Sequence, residues 1–184
     1  NILKTYKLMG YLKFANYVKL KTNWNGKMKN ITDKVKKIID LEFSNRIIII
    51  DEVHNIKSTT VSKETQKTVP PILEAVIKYS NNKRIILMSA TPMHDSPKEI
   101  VYLLNLMLMN DNRELIKETD IFDKDEYLTE VGIKILEDKA KGYISYIRGN
   151  NPISFPVKVY PTKNIIPGYK YDIFNKIIEN KEKI

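Results

Sequence analysis

The sequence predicts an α/β domain built on a mostly parallel sheet, and three observations predict it. Residues Arg46–Asp51 run Arg-Ile-Ile-Ile-Ile-Asp, and Arg84–Ser89 run Arg-Ile-Ile-Leu-Met-Ser. Neither run alternates polar with apolar residues, which is the pattern of strands covered on both faces in a parallel sheet. Between them lies a helical pattern over Val69–Tyr79, with Leu73, Val76 and Ile77 on one side. Strand, helix, strand is a βαβ unit, and its crossover is right-handed by default.

Taken in order, Thr5–Met9 reads as a short strand and Tyr11–Leu20 as a helix with Leu12, Ala15 and Lys19 along one face. Asn25-Gly26 is a turn signal within the polar stretch Lys21–Asn30. Ile31, Val35, Ile38 and Ile39 form one apolar helical stripe, with Asn30 as its N-cap and Asp33 in the first turn. After the first buried strand, His54–Thr68 is expected to be a polar loop. Pro70 and Pro71 are tolerated in a helix only in its first turn, so the following helix is expected to begin near Val69.

Ser96, Pro97 and Glu99 read as N-cap, N1 and N3 of a capping box. The helix they start carries Ile100, Leu103, Leu104, Met107 and Leu108 and is expected to cover the sheet. Asp123–Lys139 has helical spacing through Tyr127, Val131, Ile135 and Leu136, and Lys141-Gly142 marks its end. Six Pro and Gly residues from Gly149 to Gly168 then predict an extended crossing between domains, with Val157–Tyr160 its one strand-like stretch. Tyr169–Lys181 returns to a helical pattern through Ile173, Ile177 and Ile178.

Composition narrows the class less than pattern does. At 184 residues the chain suits one domain, or one with part of a second. No apolar run approaches the roughly 20 residues of a membrane span, and no secretory leader pattern is present. Cysteine is absent, which excludes disulfides and thiolate zinc sites and fits a reducing compartment. The net charge of +9 favours a polyanionic partner such as DNA or RNA. The same excess is also compatible with a scattered, solvated lysine surface, because Arg occurs only at positions 46, 84, 113 and 148.

The chemistry sits at the ends of the two apolar runs. Open α/β sheets place ligands at the carboxyl ends of their strands. Asp51-Glu52-Val53-His54 follows the four isoleucines directly. Two adjacent carboxylates at such a point suit nucleotide hydrolysis, one for a magnesium ion and one for the attacking water. Elsewhere an Asp-Glu pair is a solvated turn, and a histidine such as His54 a surface loop residue. Ser89-Ala90-Thr91 closes the second run, 38 positions after Asp51, counting from 51 to 89. No motif claims His94. Tyr143, Tyr146 and Arg148 form an aromatic-basic cluster suited either to stacking on nucleic acid or to packing between domains.

Together these residues carry a resemblance. Ile47–Lys57 (IIIIDEVHNIK) resembles motif II, the Walker B box, of superfamily 2 helicases, and Leu87–Pro92 (LMSATP) resembles their motif III. Leu87–Met107 is similar to the corresponding stretch of Swi/Snf-type translocases. Lys141–Pro152 and Phe155–Pro161 are similar to the segment leaving the first lobe in a group from large DNA viruses. That group comprises the poxvirus early transcription factor small subunit and nucleoside triphosphate phosphohydrolase I.

The resemblance implies a RecA-like first lobe over residues 1–148, an interlobe linker over 149–168 and the opening helix of a second lobe over 169–184. It implies ATP and Mg2+ as cofactors, with Asp51 on the metal, Glu52 as general base and His54 on the γ-phosphate side. Ser89 and Thr91 would couple hydrolysis to movement by bonding to the DEVH box. DNA or RNA and viral transcription machinery are the implied partners. A cytoplasmic viral factory or virion is the implied place, or an intracellular one if the protein is not viral.

One part of the pattern is missing. The family's Gly-Lys-Thr or Gly-Lys-Ser loop, whose amides and lysine cradle phosphates, occurs nowhere, and Gly26-Lys27 is followed by Met28. The arginine-bearing motif of the second lobe is also absent. The expectation is therefore a piece of a longer nucleoside triphosphatase, inactive by itself, beginning where the first motif has already passed. The alternative is a non-catalytic nucleic-acid or protein-binding module derived from a helicase lobe.

Overall fold

The computed structural model describes residues 5–57, 61–93 and 95–146. Its two strands, β1 (Ile47–Ile50) and β2 (Arg84–Leu87), pair in parallel with Ile47 opposite Arg84 and Ile50 opposite Leu87. The ladder runs on past both strands, with Met88 N–H donating to the Ile50 carbonyl (2.9 Å) and Val53 N–H to the Met88 carbonyl (3.0 Å). The carboxyl ends of the two strands are thereby tied together.

Around this pair lie α1 (Tyr11–Thr22), α2 (Asp33–Phe43), α3 (Lys63–Tyr79), α4 (Glu99–Asn110), the short α5 (Glu118–Ile121) and α6 (Glu130–Ala140). The main core gathers Ala15 and Val18 of α1, Val35, Ile39 and Phe43 of α2, and Val69, Ile72, Leu73 and Val76 of α3. Ile50 and Ile85 of the sheet join it. A second cluster holds Val101, Leu104 and Leu108 of α4 with Ile116, Ile121 and Phe122. Tyr102, Leu103 and Leu106 point the other way, into the main core. Helix α4 thus serves two cores, where its apolar stripe alone predicted a sheet cover. The compact unit ends at Ile144.

Several sequence expectations are corrected. The strands are covered on one face, not two: Ile47, Ile49, Ile86 and Met88 are 66%, 53%, 46% and 42% exposed. The isoleucine run encodes a covered face that the described residues do not cover. Thr5–Met9 is not a strand, and Tyr6 and Leu8 are exposed without a neighbouring strand among the described residues. The N-cap of α2 is Thr32, whose side chain accepts from the Val35 amide, not Asn30.

Helix α3 begins at Lys63 rather than near Val69. Ser62 caps it by accepting from the Thr65 amide, so Pro70 and Pro71 fall in its interior. Each proline removes one helical donor. Burial of Val69, Pro70, Ile72 and Leu73 against the main core offsets that loss.

The capping residues of α4 act two positions away from their expected places. The helix begins at Glu99, and the Ser96 hydroxyl accepts from the Lys98 amide (3.2 Å) while the Glu99 carboxylate accepts from the Asp95 amide (3.3 Å). Helix α6 starts at Glu130, capped by Thr129, and not at Asp123. Asp123 instead folds the chain back, its carboxylate accepting from the Asp125 and Tyr127 amides at 2.9 and 2.8 Å. Phe122 and Leu128 then bridge antiparallel. Tyr127 and Val131 are accordingly exposed, whereas Ile135 and Leu136 pack as expected. Gly142, at φ 84°, ends the helix as its sequence predicts. His94 and Arg148, the crossing over 149–168 and the helix over 169–184 lie outside the described residues.

Candidate functional site

The β1 strand ends at Ile50, and the chain turns at once. Glu52 takes a left-handed conformation (φ 50°), and Val53–Ile56 follows as one turn of 3-10 helix. Val53 and Ile56 are 2% and 1% exposed, so they anchor the turn in the core while Asp51 and Glu52 stay outside. The Asp51 carboxylate accepts from the Glu52 amide (3.0 Å). A left-handed residue other than glycine is uncommon, and such conformations gather at functional sites.

His54 links this turn to the segment after β2. Its Nδ1 lies 2.8 Å from Ser89 Oγ and 3.3 Å from Glu52 Oε2. The Glu52 carboxylate can only accept, so a proton on Nδ1 suits both neighbours. Ser89 Oγ also accepts from the Thr91 amide (3.1 Å), which shapes the Ser89-Ala90-Thr91 segment around the same hydroxyl. The DEVH and SAT groups, 35 residues apart from His54 to Ser89, are therefore in direct contact. Glu52, His54, Ser89 and Thr91 form one chain of contacts, and Asp51 adjoins it through the Glu52 amide.

Sequence reasoning assigns no role to three neighbours of the site. Tyr11, at the start of α1, shares its one O–H between the carbonyls of Asp51 and Glu52. Burial, with the charges of Asp51 and Glu52 added, pushes that phenol up to about 12. Lys57 Nζ stands 4.0 Å from the centre of the Tyr102 ring. The Tyr102 hydroxyl is buried with no hydrogen-bond partner among the described residues, and burial followed by the charge of Glu74 raises it above the ordinary tyrosine value. Burial also raises Glu74, with Lys57 opposing.

His54, Lys57, Pro92, Glu99 and Tyr102 line a cavity of about 10 Å³ behind the turn. That is room for about one water, far below the roughly 300 Å³ and more of a small-molecule site. A nucleotide would have to meet the turn on its outer side, where Asp51 and Glu52 are exposed.

Tyr143 is bound into the fold. Its hydroxyl donates to Asp111 (2.6 Å) and accepts from Arg113 (3.2 Å). Tyr146 is 69% exposed. Among the described residues no group of three or more metal-ligating side chains occurs, and no helix is long and apolar enough to cross a membrane.

Comparison with known proteins places this chain in a family. No solved structure matches the chain. It is 30% identical over 123 residues to an Acanthamoeba polyphaga mimivirus protein named as an ATP-dependent RNA helicase, covering 63% of this chain and 21% of that protein. It is 40% identical over 75 residues to nucleoside triphosphatase I of Melanoplus sanguinipes entomopoxvirus (38% of this chain, 12% of that one). Over 109 residues it is 29% identical to the early transcription factor 70 kDa subunit of vaccinia virus (56% of this chain, 15% of that one). The chain thus spans between 12% and 21% of the length of these relatives. The SNF2-related domain matches residues 2–140, and with its parallel βαβ unit, as part of an α/β RecA-like helicase lobe, the chain belongs to that family.

Proposed function

We propose that this chain is part of the first motor lobe of an ATP-dependent, nucleic-acid-stimulated helicase or translocase serving viral transcription. The observation that carries the reading is the His54–Ser89 contact (2.8 Å), which joins the acidic turn to the segment after the neighbouring parallel strand. A motor needs such a joint, because hydrolysis at one strand end must be felt at another. Names among the relatives, an RNA helicase, a nucleoside triphosphatase and a transcription factor subunit, support the same reading.

In this reading Glu52 is the general base. It is half-exposed, and His54 Nδ1 at 3.3 Å steadies its carboxylate. Asp51 is the residue suited to Mg2+, which is commonly held by only one or two carboxylates together with phosphates and water. The ion's contribution is charge neutralisation on the phosphates. His54 reports on the γ-phosphate side and relays to Ser89, and Ser89 orders Thr91 through its amide. The phosphate cradle is not among this chain's residues, since no Gly-Lys-Thr or Gly-Lys-Ser occurs. DNA or RNA is the polyanion that a net charge of +9 favours.

The test uses protein from the full reading frame. Glu52→Gln keeps the side chain's shape but removes the base. Nucleotide binding should survive while nucleic-acid-stimulated hydrolysis falls roughly 10²-fold or more, the share of a general base. Equal hydrolysis by the two proteins would reduce the DEVH turn to a structural element and overturn the proposal.

A further inference from the structure

We infer that Tyr11 is a positioning residue of the acidic turn, its hydroxyl clamping the carbonyls of Asp51 and Glu52 so that the two carboxylates keep their places. The inference deepens the proposed hydrolytic role of the turn and rests on it for its effect on activity.

The turn is held from three directions. From β2, the Met88 carbonyl accepts the Val53 amide (3.0 Å). From its own 3-10 turn, the Asn55 amide donates to the Glu52 carbonyl (2.9 Å). From α1, the Tyr11 hydroxyl reaches 40 residues along the chain to the Asp51 carbonyl and lies 2.9 Å from the Glu52 carbonyl. The last is the side-chain tie that spans both acidic residues at once.

The tie matters because of what it holds. Glu52 sits at φ 50°, a conformation that is strained for a residue other than glycine and persists only where its surroundings over-determine it. Without the Tyr11 hydroxyl the Asp51 carbonyl loses this donor and the Glu52 carbonyl keeps only the Asn55 amide, so both residues gain freedom to relax toward ordinary backbone, and both carboxylates would turn with it. The donor itself is firmly placed. Tyr11 opens α1 after Gly10, and one and two turns further Ala15 and Val18 are fully buried in the main core. The N-terminal end of α1 thereby becomes part of the site.

Tyr11→Phe removes one oxygen and keeps the ring. Two measurements test the role. In this chain, amide hydrogen exchange across residues 51–56 should speed up severalfold in Tyr11→Phe while the cores, including α3, stay as protected as in wild type. Unchanged exchange at 51–56 would overturn the clamp, whatever the activity. In protein from the full reading frame, Tyr11→Phe should lower kcat roughly five- to tenfold, the worth of one hydrogen bond, with KM for ATP unchanged. A matching rise in KM, or an unchanged kcat, would show that the clamp does not position the carboxylates. Glu52→Gln is measured alongside. If that variant keeps full hydrolysis, the base assignment fails separately, and the exchange result still decides whether Tyr11 holds the turn.

Discussion

His54 Nδ1 and Ser89 Oγ stand 2.8 Å apart across the ends of two parallel strands. Ser89 Oγ is also the acceptor for the Thr91 amide, so one hydroxyl organises both sides of the junction. Replacing Ser89 and Thr91 together by Ala in the full-length protein should leave hydrolysis partly intact, because neither residue is placed on the attacking water. Movement along nucleic acid should be lost. Side-by-side ATPase and translocation assays check this, and equal loss of both activities would argue that the pair belongs to the hydrolytic step itself.

The 184-residue chain alone should hydrolyse ATP negligibly. It carries neither the phosphate-cradling Gly-Lys-Thr or Gly-Lys-Ser nor a second-lobe arginine motif, and such groups each supply orders of magnitude in phosphoryl transfer. Phosphate release by the purified chain, with and without nucleic acid, is the measurement. Stimulated turnover insensitive to Glu52→Gln would contradict both this expectation and the assignment of the base.

Helix α6 rests on α5 through a glycine. A Cβ at Gly132 would stand 2.2 Å from the Ile121 carbonyl oxygen, which is backbone and cannot swing away. Alanine would otherwise favour a helix by about 0.5–1 kcal/mol. The clash should outweigh that gain, so Gly132→Ala is expected to destabilise by about 1–3 kcal/mol. Urea unfolding gives the answer, and a stabilised variant would mean that α5 and α6 pack less closely than this.

The sequence announced those parts of the fold whose causes are local. Four isoleucines in a row specify β1, and the Gly142 stop follows from the left-handed backbone that glycine allows. What it concealed depends on contacts far along the chain. Pro70 and Pro71 argued for a late start to α3, yet Ser62 and the buried Val69 and Ile72 carry the helix through them. Asp123 fits a helix by periodicity but prefers to bond the Asp125 and Tyr127 amides. At the candidate site, the sequence singled out DEVH and SAT by residue type, and the His54–Ser89 contact brings the two segments together. Tyr11 was not singled out, since a tyrosine at a helix start says nothing of a turn 40 residues away.

The buried hydroxyl of Tyr102 yields the last prediction. It has no hydrogen-bond partner among the described residues, and leaving such a group unsatisfied costs about 1–3 kcal/mol. Tyr102→Phe keeps the ring beneath Lys57 and removes only that oxygen, so at pH 8 it should be neutral or stabilising by about 1 kcal/mol. The alkaline side gives a second readout. Burial, then the charge of Glu74, raises the phenol above its ordinary value. An unfolded tyrosine loses its proton near pH 10, while the folded one keeps it. Above about pH 10 the unfolded state therefore binds fewer protons than the native state, and stability falls as pH rises. The contribution is complete below pH 10 and drains away above it. Urea unfolding of both proteins at pH 8, 10 and 11 should show a shallower alkaline loss for Tyr102→Phe. Parallel pH curves, or a variant markedly weaker at pH 8, would mean that the Tyr102 hydroxyl is satisfied and open to solvent exchange.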